Sequence, residues 1–178
     1  MFLEQLSNFG PVMLQIVCGV ICTGLGALSG FFADTFAGEG GSIQWYNALN
    51  LPPFRPPNAI FGPVWTVLYV LMGVGLGSII ASANYLLFWL FMGQLALNLI
   101  WSPIFFKYRM MRTSFAIILA LWLVLIAMIF MSFQSNINIA LFGQTFSIAY
   151  LFLPYITWIT FASTLNGAVW SLNRQYDQ

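Results

Sequence analysis

A chain without histidine offers little acid–base or metal chemistry; this one presents instead carboxamides and aromatic rings at helical spacing. Gln94, Asn98, Trp101 and Phe105 share one helical face. Trp158, Ala162 and Asn166 form an i, i+4, i+8 row, with Tyr155 beside it and Pro154 near the entrance. Trp65 and Tyr69 stand one turn apart, and Met72 continues their stripe. Flat rings beside a few directional amides suit a pocket for a large planar molecule, because they supply stacking area, an indole N–H donor and an amide that both donates and accepts. Taken singly, each Asn or Gln reads as a group joining helices, worth about 0.6 kcal/mol on average in a membrane. Three such faces together imply a shared hollow.

The segments carrying these faces are long and apolar. The chain is 61% hydrophobic and 5% charged, with a mean hydropathy of +0.89, whereas a soluble domain carries about 25% charged residues. No charge interrupts the run from Arg55 to Lys107 or from Arg112 to Arg174. Polar and Pro/Gly breaks divide the sequence into five candidate spans: Pro11–Phe32, Ile60–Ala81, Tyr85–Phe106, Ser114–Phe133 and Ser147–Trp170. Each approaches the roughly 20 residues that a helix needs to cross a hydrocarbon core. The expected fold is an all-α membrane protein, a single domain over residues 1–178 built as a five-transmembrane-helix bundle. The first span lacks a basic leader, Glu4 being the only charge before it, and reads as a retained helix rather than a signal peptide.

Five crossings put the termini on opposite sides. Arg55, the Lys107, Arg109 and Arg112 cluster, and Arg174 then share one side, which the positive-inside rule makes cytoplasmic, leaving the N-terminus outside. The net charge of +1 gives no sign of nucleic-acid binding. Cys18 and Cys22 sit one turn apart on the first span, a spacing poor for a disulfide, and packing is their expected use. The fourth span has Trp122 and little else that is polar, so it is expected to buttress the bundle or face lipid. Gly26/Gly30 and Gly73/Gly77 permit close helix contact, within the chain or between chains.

The one long connection runs from about residue 33 to 59. It holds Gly38, Gly40, Gly41, Trp45 and Tyr46, then four prolines within Pro52–Pro57, which fix φ and exclude a regular helix there. Such a preorganised segment reads either as a lid, in which Tyr46, Pro52 and Phe54 close a cavity mouth, or as a rigid connector with aromatics anchored at the membrane interface.

At these residues the chain resembles the translocator protein family, also called tryptophan-rich sensory protein or peripheral benzodiazepine receptor. The matching segments are Gly38-Glu39-Gly40 with Trp45-Tyr46, Pro52 through Pro56-Pro57, and Phe61 through Tyr69. They continue through Gly93 to Asn98, Trp101 with Pro103 to Phe106, and Pro154-Tyr155 with Trp158, Phe161-Ala162 and Leu165-Asn166.

The resemblance implies a five-helix bundle, often a homodimer, with a pocket beneath the first loop for porphyrins such as protoporphyrin IX and for isoquinoline carboxamide or benzodiazepine ligands. It implies Trp65 and Asn98 as polar contacts to a ligand carbonyl, and Tyr46, Trp158 and Ala162 as pocket wall. Trp65 and Trp158 match the two tryptophans associated in the family with light- and oxygen-dependent porphyrin breakdown. The family's usual Lys and Trp of the proline motif are replaced by Leu51 and Phe54, with Arg55 as an alternative source of charge. The stretch Leu165 to Trp170 has no Tyr before Arg174, which disfavours the animal proteins' cholesterol-recognition pattern.

Three functions follow. The first is a regulatory, sensory or transport protein that binds a tetrapyrrole or another planar hydrophobic molecule and requires no cofactor. The second is a porphyrin-degrading enzyme working through Trp65 and Trp158. The third is an assembly partner whose polar faces only join helices.

Overall fold

The computed structural model describes residues 2–35, 41–141 and 144–176. Among these residues the chain is helical apart from one hairpin. The elements are α1 (Phe2–Ser7), α2 (Pro11–Thr35), α3 (Gly41–Ala48), α4 (Phe61–Ala81), α5 (Tyr85–Phe106), α6 (Met111–Gln134) and α7 (Ala149–Leu172), with 3-10 turns at Asn58–Ile60 and Arg174–Tyr176. Strands β1 (Asn138–Leu141) and β2 (Gln144–Ser147) pair antiparallel, Asn138 opposite Ser147, between α6 and α7.

By length and composition, four stretches are able to cross a membrane: Pro11–Asp34, Asn58–Ala81, Tyr85–Phe106 and Met111–Gln134. The fifth expected span, α7, has 24 residues, as many as α6, but it carries Thr157, Thr160, Ser163, Thr164 and Asn166. Its hydroxyls are satisfied within the helix. Thr157, Thr160, Ser163 and Thr164 each donate to the carbonyl four residues back, at 2.7–3.0 Å, which is how a hydroxyl is kept in an apolar setting.

The long helices form a ring in the order α2, α4, α7, α6, α5, closing back on α2. Glycines set the α2–α4 approach: a Cβ on Gly73 would lie 2.3 Å from Gly19 Cα, and one on Gly77 would lie 2.5 Å from the Gln15 backbone. The Gly73/Gly77 pair therefore works within the chain. By contrast, a Cβ on Gly30 would meet nothing within 4 Å. Cys18 and Cys22 are free thiols buried in the packed half of the bundle. That half also holds Met72, Ile79, Leu87, Phe91, Leu121, Leu125, Met128 and Phe152, all fully enclosed. α6 buries Ile118, Leu121, Leu125, Met128 and Ser132 along one stripe and exposes Leu119, Leu123, Ile126 and Phe130 on the other.

The connection between the first two long helices differs from a continuous loop. α2 runs on to Thr35, and α3 occupies eight residues before the prolines begin. The proline segment itself carries no α-helix, as its fixed φ angles require. Gly38, Glu39 and Gly40 lie outside the described residues. The connection is tied to the far end of the chain, where Asn50 N–H donates to Asn173 Oδ1 at 2.9 Å and Asn173 Nδ2 donates to the Asn50 carbonyl at 2.9 Å.

Candidate functional site

The half of the bundle beneath α3 is hollow. A cavity of about 420 Å³ lies between α2, α4, α5 and α7, with α3 and the Asn58 turn at its mouth. The division follows the sequence of each helix. α4 gives the cavity its first half, Phe61 to Tyr69, and the packed core its second, Met72 to Ile80. α5 does the reverse, with core residues from Leu87 to Leu95 and cavity residues from Asn98 to Phe106.

Of the residues expected in a pocket, Tyr46, Trp65, Tyr69, Asn98, Trp101, Trp158, Ala162 and Asn166 line this cavity. They come from four different helices. The rings form a connected cage: Trp65 meets Trp158 edge-on at a centroid distance of 6.5 Å and an interplanar angle of 88°. Trp65 also lies 5.6 Å from Tyr69, and Trp101 stacks on Phe105 at 5.4 Å. Tyr46 on α3 packs edge-on against Phe105 and Phe106. Burial pushes the Tyr46 phenol above its ordinary pKa, the neighbouring Arg55 guanidinium pulling the other way.

Two polar chains cross the site. Tyr69 Oη donates to Asn98 Oδ1 at 2.5 Å, and Asn98 Nδ2 donates to Tyr155 Oη at 2.8 Å, linking α4, α5 and α7. Higher up, Trp101 Nε1 donates to Asn166 Oδ1 at 2.9 Å, and Asn166 Nδ2 to the Met111 carbonyl at 3.3 Å. Both carboxamides thus join helices while lining the cavity. Trp158 is the contrast: its Nε1 is buried and has no hydrogen-bond partner among the described residues.

Four expected site residues lie off the wall. Tyr155 is fully buried behind Asn98 and supports it rather than lining the cavity. Gln94 is fully buried one turn deeper on α5, and neither of its polar atoms has a partner among the described residues. Sharing a helical face with Asn98 is not enough, because the cavity ends between the two. Phe54 is about half exposed and packs edge-on against Phe161, outside the cage. Pro52 is buried beside it without reaching the cavity. α6 gives the cavity no residue, as expected of a buttress, and Trp122 Nε1 bonds Thr160 Oγ1 at 2.9 Å.

The contribution of α2 was missed. Thr23, Gly26, Ser29 and Gly30 line the cavity, and a Cβ on Gly26 would lie 2.0 Å from the Tyr69 ring. The small-residue spacing of Gly26 and Gly30 was the available signal, but it reads equally well as a helix contact. Ser29 Oγ donates to the Leu99 carbonyl at 2.7 Å, holding α2 against α5. Among the described residues no group of His, Cys, Asp or Glu is placed to hold a metal ion.

Comparison with known proteins identifies the family. The profile of the TspO/MBR family matches residues 18–171, a range that contains every cavity-lining residue. The "Tryptophan-rich protein TspO" of Archaeoglobus fulgidus is 36% identical over 153 residues, covering 81% of this chain and 89% of that protein. The human "Translocator protein" is 33% identical over 151 residues, 81% of this chain and 83% of its own. The "Tryptophan-rich sensory protein" of Cereibacter sphaeroides is 33% identical over 133 residues, 73% and 77% of the two chains. A predominantly helical, multi-pass membrane protein with an aromatic cavity under its first connection, this chain belongs to the TspO/MBR family.

Proposed function

We propose that the protein binds a planar hydrophobic ligand of the tetrapyrrole type, for which protoporphyrin IX is the natural probe, in a regulatory, sensory or transport role. The observation that carries this reading is the cage itself. Its volume lies within the roughly 300–1,000 Å³ of small-molecule sites, its walls carry indole, phenol and phenyl rings, and Trp158 on that wall has a buried N–H with no acceptor among the described residues. Synthetic isoquinoline carboxamides and benzodiazepines fit the same description, an aromatic body with one carbonyl. In this reading α7 is a fifth crossing, the Lys/Arg-bearing end is cytoplasmic, the N-terminus is outside, and the protein works as a homodimer.

A second reading is favoured by one contact. Trp65 and Trp158 stand edge to face on the cavity wall, so a bound pigment excited by light would lie beside two oxidisable indoles. Titrating purified protein with protoporphyrin IX, in the dark and then in light, separates the possibilities. Tryptophan quenching with a stable pigment spectrum supports binding alone. Pigment loss abolished by Trp65→Phe or Trp158→Phe supports the enzyme. Folded protein with no quenching sinks both and leaves a structural assembly role.

A further inference from the structure

Trp158 borders two spaces at once. Besides the cavity, it lines a groove of about 540 Å³ on the outside of the bundle between α4 and α7, with Pro63 and Val67 on one bank and Pro154, Thr157 and Phe161 on the other. It is the only residue common to the two linings. Val67 and Thr157 are exposed, and the Thr157 hydroxyl already donates to the Leu153 carbonyl at 2.9 Å. An apolar molecule lying in the groove therefore strands no polar side chain of its banks.

The seam between α4 and α7 changes character along its length. In the packed half the two helices touch closely, since a Cβ on Gly75 would lie 2.4 Å from the Phe152 ring. In the cavity half, rings hold the seam: Trp158 lies 5.7 Å from Phe61 and 6.5 Å from Trp65 on α4, and 5.5 Å from Phe161 on α7. No hydrogen bond among the described residues runs directly between α4 and α7; Tyr69 and Tyr155 are joined only through Asn98 on α5. The Trp158 indole N–H has no partner either, so the ring can turn without breaking a bond. Pro154 stands between Phe152 and Trp158 and removes one helical N–H, which makes α7 bendable at the point where close packing gives way to the cavity. Flat surfaces also continue outward from the cage, because Phe54 of the first connection packs on Phe161 at 6.5 Å.

We infer that a planar hydrophobic ligand exchanges sideways between the membrane and the cavity through the α4–α7 seam, with the outer groove receiving it and Trp158 turning aside as the gate. The inference rests on the ligand-binding reading and adds a route to it. A molecule of this kind is concentrated in lipid rather than in water, and every surface on the path is apolar or aromatic.

The test measures protoporphyrin IX exchange on the full-length protein in phosphatidylcholine nanodiscs. Association is read as tryptophan quenching after rapid mixing, and dissociation as its recovery when excess protein-free vesicles take up the released pigment. Val67→Trp and, separately, Thr157→Trp fill the groove without touching the cavity. Each is expected to slow association and dissociation alike, by roughly tenfold, and to leave the equilibrium Kd unchanged. Trp158→Ala removes the gate and is expected to speed association as well as dissociation, although a wall contact is lost. Unchanged rates in both filled variants, with circular dichroism showing them folded, overturn the route and leave the ligand-binding reading intact. So does a Trp158→Ala protein in which dissociation alone accelerates, which makes Trp158 a wall and not a gate. Filled variants that exchange faster would show that a lipid chain had occupied the groove and obstructed the seam, and the assignment of the groove to the ligand then falls. Absence of quenching in folded wild-type protein overturns the route and the ligand-binding reading together.

Discussion

Ser29 on α2 donates its hydroxyl to the Leu99 carbonyl on α5 at 2.7 Å, and that carbonyl is the one Pro103 leaves without a helical donor. Proline has no N–H, so the acceptor four residues earlier is orphaned within its own helix. In lipid an orphaned carbonyl is costly, and a neighbouring helix meets it here. The bond sits on the cavity wall, so the break in α5 and the closure of the α2 side of the cage share one cause.

Ser29→Ala is therefore expected to destabilise the protein by about 1–2 kcal/mol, the cost of leaving a buried acceptor unpaired. Pro103→Ala in the same chain restores the helical donor and is expected to recover most of the loss. Unfolding in detergent, followed by circular dichroism, measures both. A double variant no more stable than Ser29→Ala would show that the bond does not compensate for the proline.

Asn98→Leu is expected to cost more than its loss of a ligand contact, because Tyr69 and Tyr155 both lose their partner. Two stranded phenols imply roughly 1–3 kcal/mol of destabilisation. Adding Tyr69→Phe and Tyr155→Phe removes the stranded groups and is expected to restore much of the stability. The triple variant then reports on ligand affinity without the confounding loss of fold.

Trp101→Phe and Trp158→Phe are expected to behave oppositely. The Trp101 indole is bonded to Asn166, so its loss lowers the unfolding midpoint. The Trp158 N–H has no partner among the described residues, so its loss spares stability and weakens ligand binding by about 1 kcal/mol, roughly fivefold in Kd. Paired melting curves and titrations of the two variants check this, and the same ranking in both measurements would contradict it.

Gln94→Leu is expected to leave ligand affinity unchanged and to keep or raise stability, since it removes a fully buried amide without partners among the described residues. A marked drop in either quantity would show that Gln94 has a polar role.

Gly73→Val and Gly77→Val are expected to destabilise by about 1–3 kcal/mol, because a side chain at either position meets the α2 backbone rather than a movable side chain. Gly30→Ala meets open space and is expected to be neutral in stability. Thermal midpoints of the three variants, read side by side, test the claim.

Much of this arrangement was legible in the sequence, for identifiable reasons. Charge islands and apolar runs mark the long helices because lipid tolerates no alternative, and the aromatic and amide rows mark the inner faces of α4, α5 and α7. Three things were not legible. α3 lies between glycines and prolines whose local signals say turn, and it is held by Tyr46 and Trp45 packing on Phe105, a partner far along the chain. The hairpin at Asn138–Ser147 is a short pairing without a strong hydrophobic alternation. The separation of Asn98 from Gln94 depends on where Met72, Phe91 and Phe152 fill the bundle, and no spacing rule encodes the depth of a hollow.

The mutual hydrogen bonds of Asn50 and Asn173 have a kinetic implication. They fasten the connection that carries α3 to the end of α7, so the chamber opens on that side only when both bonds break. Neither asparagine lines the cavity, so loosening this clasp is expected to alter how long a molecule stays more than how tightly it is held at equilibrium.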